Sequence, residues 1–186
     1  FTSPNLSQTI AKEEFTPQTY LLSKVGVYLD GNSEIKNKYG PFFAFAFGAT
    51  RDFSRNFRGE AGFGVNLGVE DKNYNVDKIT IISLFGNLEA YDLIDPDQKI
   101  ILYAKAGIFY DHVRENIKDY DGDYDASGQG VGITIGGGLE YFINPDKNTK
   151  AFFDGIFLEG MYESVSTERL DRSGLKISLG LKNRIF

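Results

Sequence analysis

Residues 57–70, FRGEAGFGVNLGVE, alternate almost without a break. Ala61, Phe63, Val65, Leu67 and Val69 fall on one parity, and Arg58, Glu60, Gly62, Gly64, Asn66, Gly68 and Glu70 on the other. A two-residue period marks a strand whose faces meet different surroundings. The pattern recurs in eight segments, roughly 19–30, 41–50, 57–70, 78–91, 99–113, 130–143, 150–163 and 174–185. No stretch keeps a 3.6-residue period over three turns, so essentially no helix is expected. Residues 1–18, with Pro4 and Pro17, read as a flexible N-terminal leader, and 19–186 as one barrel domain.

Sorting each segment by parity shows which face is which. The apolar sets hold Leu21, Val25 and Leu29; Phe43, Phe45 and Phe47; Ile82, Leu84 and Leu88; Leu102 and Ile108; Val131, Ile133 and Ile135; Ile177, Leu179 and Leu181. The opposite sets mix Gly, Ala and Ser with charges: Lys24, Arg58, Glu60, Glu89, Lys105, Glu140, Glu159, Lys176 and Lys182. A soluble sandwich or ligand-binding barrel would turn the second set to water, where strands favour long polar side chains over glycine and alanine. Small residues and paired charges suit instead the interior of an eight-stranded barrel, which is only just wide enough for side chains to fill. Segments of this length also match tilted strands that cross a bilayer in about 9–11 residues, whereas soluble strands average about 5–6. The reading is an all-β, eight-stranded antiparallel up-and-down transmembrane β-barrel, polar inside and apolar outside. Its buried charges are expected to interlock as ion pairs, since a lone buried charge is costly.

Composition narrows the function classes. The 186-residue chain carries a net charge of -6 and no cluster of basic residues, which argues against a nucleic-acid partner. It has no cysteine, so disulfides and thiolate metal sites are excluded. No apolar run approaches the ~20 residues of a membrane helix, a test that barrel strands pass unnoticed. The opening Phe1-Thr2-Ser3-Pro4 lacks the basic start and apolar run of a signal peptide, as expected of a processed exported form. No cofactor motif is present.

The connections alternate in kind. Even ones are short and turn-like (RDFSRN, DLIDPDQ, NPDKN), with Asp95-Pro96-Asp97 and Asn144-Pro145-Asp146 as turn cores. Odd ones are longer and more polar (GNSEIKNKYG, DKNYNVD, RENIKDYDGDYDASGQG, SVSTERLDRS). The third offers two candidate chemistries. Asp119, Asp121, Asp123 and Asp125 form a weak calcium candidate that does not fit an EF-hand loop, and Tyr120 and Tyr124 are candidate contacts to another protein. His112, the sole histidine, lies on the outer parity with no serine beside it, a poor start for nucleophilic catalysis. Aromatics near segment ends (Tyr20, Tyr39, Phe42, Tyr91, Tyr103, Tyr110, Tyr141, Phe152, Tyr162) are expected to form interfacial girdles. Asp154 sits on the apolar parity near the lower rim, in conflict with its strand.

The segmentation, the GITIGGGLEYFINPDK stretch and the terminal LKISLGLKNRIF resemble the small eight-stranded outer-membrane barrels: the OmpA transmembrane domain, OmpX and the Ail-type adhesins. The C-terminus departs from that pattern, because odd steps back from Phe186 give Arg184, Lys182 and Gly180; a bulge near Asn183 would restore phase. The resemblance implies a monomeric, non-enzymatic protein of the bacterial outer membrane, in contact with lipid and lipopolysaccharide. Its surface loops would serve adhesion, binding of a host or other extracellular protein, or envelope integrity. A small gated channel or porin is the main alternative, and a lipid-modifying enzyme the lesser one.

Overall fold

The computed structural model describes residues 15–68, 76–94, 99–119, 122–143, 153–167 and 171–185. They form a closed barrel of eight strands in chain order: β1 (Thr19–Asp30), β2 (Phe42–Asp52), β3 (Phe57–Gly68), β4 (Val76–Leu93), β5 (Ile100–Asp119), β6 (Gly122–Phe142), β7 (Gly155–Thr167) and β8 (Arg172–Ile185). Every neighbouring pair is antiparallel, and β1 closes on β8. Closure pairs every strand on both sides, the only way a sheet satisfies its backbone where no water is available.

The parity reading holds around the whole barrel. Outward positions carry Leu21, Phe45, Leu84, Ile133 and Leu179, each between 42% and 66% exposed, whereas Glu60 and Lys105 inside are 3% exposed. An apolar exterior of this extent is a liability in water and a fit to acyl chains.

Several local expectations change. The third odd connection is mostly not a loop. The β5–β6 ladder runs on from Tyr110↔Val131 to Asp119↔Gly122, so β5 and β6 reach 20 and 21 residues while β1–β3 have 11 or 12. Outward parity no longer reveals this extension, because above the apolar band the outer face is polar too (Arg114, Asp125, Ser127 and Gln129), while Val113, Glu115 and Ala126 stay buried on the inner one. Strand β7 begins at Gly155 rather than near 150, which frees Asp154 from the strand. Asp154 instead ties the lower end together: its N–H donates to the Lys182 carbonyl at 2.8 Å, and its carboxylate accepts the Arg184 N–H. No bulge forms near Asn183, since the β1–β8 ladder is unbroken from Asp30↔Gly174 to Thr19↔Ile185. Arg184 and Lys182 therefore lie on the inward parity. Phe152, Phe186 and most of the leader lie outside the described residues; Gln18, within it, accepts the Asp52 N–H at 3.0 Å.

One short helix, α1 (Ser33–Tyr39), occupies the first odd connection. At seven residues it is too short to register as a helical period. Asn32 precedes it, its carbonyl accepting the Lys36 N–H at 2.9 Å; Gly40 ends it at φ 65°, where its N–H reaches the Lys36 carbonyl.

Only part of the aromatic girdle faces out. Tyr110, Tyr141 and Tyr162 are exposed as expected, but Tyr20, Tyr39, Phe42 and Tyr103 are buried and Tyr91 is half-buried. The reason is parity: Tyr20 and Tyr103 stand beside Leu21 and Leu102, which take the outward positions.

Candidate functional site

The lumen is built by inward side chains from all eight strands. Lys182 on β8 holds Glu140 on β6 at 2.7 Å, and Arg58 on β3 reaches the same carboxylate at 2.7 Å while pairing with Glu89 on β4. Lys105 on β5 lies 3.1 Å from Glu89 and pairs also with Glu60 and Glu159. Lys24 on β1 closes the chain onto Glu60 at 2.6 Å and Glu159 at 3.1 Å. Every predicted lumen charge except Lys176 thus joins one continuous network. Lys176 makes a separate pair with Glu163 at 3.2 Å, higher in the barrel.

The misplaced tyrosines serve this network. The Tyr103 hydroxyl donates to Glu159 at 3.2 Å, and its ring lies 5.2 Å from the Arg58 guanidinium. The Lys182 ammonium sits 4.6 Å above the Tyr20 ring. Aromatic faces take up cationic charge where water is excluded. Tyr103 needs a glycine opposite it: a Cβ on Gly138 would stand 2.2 Å from the Leu158 carbonyl and 2.6 Å from the Tyr103 hydroxyl. The space left is small, a void of about 10 Å³ among Arg58, Glu60, Lys105, Glu140 and Lys182, and one of about 40 Å³ above it beside Ser83, Glu163 and Lys176. The lower void is at the limit for a single water molecule.

The upper end of the lumen carries features that parity alone does not reach. Arg172 pairs with Asp111, which also accepts the Ser83 hydroxyl at 2.6 Å. Arg172 is missed because the C-terminal segment reads as beginning at 174. Above this pair, Tyr28, Phe42, Ile79, Ile81 and Val113 pack with Tyr39 of α1 into an apolar cluster. The Tyr28 and Phe42 rings meet edge to face at 5.9 Å, and the Tyr39 hydroxyl donates to Glu115. The usable signal was the apolar parity switch at Ile79 and Ile81, on the inward set of β4.

The acidic hairpin is described in part. Tyr120 and Asp121 lie outside the described residues, as do the side chains of Asp119, Asp123 and Tyr124. Asp125 faces outward; it accepts from Arg114, with which it pairs, and from Asn116 at 3.0 Å. Among the described residues no group of three or more His, Asp or Glu side chains is placed to hold a metal. His112 is exposed on the outer face, opposite Ile82 and Gln129 in the ladder.

The sequence matches no family model and no curated protein. Solved structures do match. Neisserial surface protein A superposes with a TM-score of 0.69 at 10% identity, over 92% of this chain and 100% of its own. The N-terminal β-barrel domain of OprF from Pseudomonas aeruginosa superposes with a TM-score of 0.53 at 12% identity, over 90% of this chain and 99% of its own. The chain has the fold of the small eight-stranded outer-membrane barrels. At such identities what is shared is strand number, closure and the inverted pattern. In an outer-membrane barrel those features follow from the alternation of residue types, which many sequences can supply.

Proposed function

We propose that the chain is an integral protein of the bacterial outer membrane, in which a closed, ion-paired barrel anchors the β5–β6 hairpin for binding an extracellular protein. One observation carries the reading. The β6–β7 ladder begins only at Gly130↔Thr167, whereas β6 stays paired with β5 up to Gly122. Among the described residues, 122–129 of β6 therefore stand above the apolar band with one edge unpaired, a row of N–H and C=O groups ready to accept another strand. The outward side chains there (Asp125, Ser127 and Gln129) are polar, as suits a surface that meets water and then a partner.

The remaining features agree with an anchoring role. Ion pairs crossing the lumen and the Tyr39 cluster over its upper mouth favour a closed barrel over a pore. Lys78 and Arg114, beside a depression of about 350 Å³ at the top of the apolar band, suit the phosphates of lipopolysaccharide. His112 points away from the lumen, whereas the neighbouring Ser83–Asp111 pair faces into it, so the three do not converge, which supports a non-enzymatic protein. The test is removal of residues 118–123, which shortens the hairpin above the membrane and leaves every spanning rung in place. Cells displaying the shortened protein should lose adhesion to epithelial monolayers while the barrel remains heat-modifiable on gels; undiminished adhesion overturns the reading. In planar bilayers the intact protein should be silent, and discrete conductance steps would favour a channel instead.

A further inference from the structure

The outer wall is not evenly covered. Most outward positions carry Leu, Ile, Val or Phe, but on β2–β5 one region carries Ala49, Gly59, Ala61, Gly86 and Ala106. In the ladder Ala49 faces Ala61 and Ala61 faces Gly86, so the small side chains are contiguous across three strands. The result is an apolar groove of about 640 Å³, walled by Phe53, Leu88 and Ile108. That volume lies in the range of small-molecule sites, about 300–1,000 Å³.

At the lower end of the groove stands Arg51, on the outward face of the last β1–β2 rung, opposite Thr19. Arg51 is exposed and forms no ion pair among the described residues. An outward arginine at the edge of an apolar wall calls for an anion at headgroup level.

We propose that the groove binds one glycerophospholipid of the inner leaflet, its phosphate on Arg51 and one acyl chain lying over Ala49, Ala61 and Gly86 toward Ile108. This rests on the outer-membrane reading above, which places the lower rim at the periplasmic leaflet. A second copy of the chain is a poorer occupant. A two-fold pair would set groove against groove and Arg51 against Arg51, leaving the hollow unfilled and like charges opposed. A flexible acyl chain fills a hollow of any outline, and a phosphate complements the guanidinium.

The glycines supply a matched test. A Cβ on Gly86 meets nothing within 4 Å, and neither does one on Gly160, which faces outward on β7 at the far side of the barrel. Gly86→Leu fills the groove without strain, and Gly160→Leu is its control. The full chain, folded in detergent and incubated with dioleoylphosphatidylethanolamine, should retain one lipid per barrel by native mass spectrometry. Gly86→Leu and Arg51→Gln should each lower retention about tenfold, the size of one lost charge-assisted contact or a comparable loss of apolar contact. Gly160→Leu should not, and dioleoylglycerol, which has no phosphate, should bind wild type as weakly as the phospholipid binds Arg51→Gln. Equal retention by all variants overturns the site, and so does a dimer that Gly86→Leu abolishes. A chain that stays folded and monodisperse without detergent would overturn the membrane reading itself.

Discussion

The lower and upper halves of the lumen solve one problem in two ways. Below, Arg58, Lys105, Lys182 and Lys24 interlock with Glu60, Glu89, Glu140 and Glu159, and nearly every charge has more than one partner. Above, Tyr28, Phe42, Ile79, Ile81 and Val113 fill the same cross-section with apolar volume under Tyr39. Charge is economical in a narrow tube, because long side chains from opposite walls meet on the axis. It is also brittle, since removing one partner strands the others without water. Apolar packing is graded: each lost methylene weakens the fill in proportion. The position of each solution is instructive. The charges lie where the wall outside is apolar and the sheet continuous, and the apolar cluster lies at the mouth, where α1 must dock onto something that does not require exact partners.

That contrast predicts unequal responses to single substitutions. The largest belongs to Lys105, which touches Glu60, Glu89 and Glu159. Lys105→Met should destabilise the barrel by about 3–5 kcal/mol in urea unfolding from lipid vesicles. Adding Glu60→Gln should recover part of the loss by lowering the uncompensated charge. A single-variant cost under about 1 kcal/mol would mean that water reaches these carboxylates and that the two halves are not distinct. Next comes Tyr39→Phe, which keeps the ring on Phe42 but removes the hydroxyl from Glu115. A hydrogen bond to a charged group contributes about 1.5–3 kcal/mol, and the substitution should cost that much if Tyr39 seals the mouth. Its effect should show as faster proteolysis within residues 31–41 before global unfolding.

Much of this was legible in the residue order, and for one reason. Where a strand separates an apolar from a polar medium, parity is forced, so the outward set through Leu84 and Ile133 and the inward set through Glu60 and Lys105 read directly from the chain. Legibility fails where that boundary is absent. Above Tyr110 and Val131 the outer face of the β5–β6 hairpin meets water instead of acyl chains and turns polar, so residues 114–119 and 122–129 look like a loop while pairing as strands. Tyr20 and Tyr103 mislead differently: tyrosine suits an interface and a cation equally well, and only strict adherence to parity separates the two. Arg172 is hidden by a boundary error of two residues, and α1 by its length. The groove on β2–β5 is written in plain sight as Ala49, Ala61 and Gly86, but its contiguity is a matter of register between strands, which one-strand parity does not contain.

Two smaller effects sharpen the comparison. Ile81→Val, in the apolar half, should cost only about 0.5–1.5 kcal/mol, with the cross-section otherwise intact. A loss matching that of Lys105→Met would show that the upper cluster is as exacting as the ion network. The smallest effect is expected at Arg114, which pairs with Asp125 on the outer face of the hairpin. The chemistry is that of the lumen, an arginine or lysine on a carboxylate, but both partners are largely exposed, at 65% and 48% of their side chains. Water screens the pair and solvates whichever member remains, so Arg114→Gln should leave the unfolding midpoint unchanged within error. If instead it shifted the midpoint as Lys105→Met does, enclosure would not be what makes the lumen pairs matter, and the difference between inside and outside would have to come from sheet geometry alone.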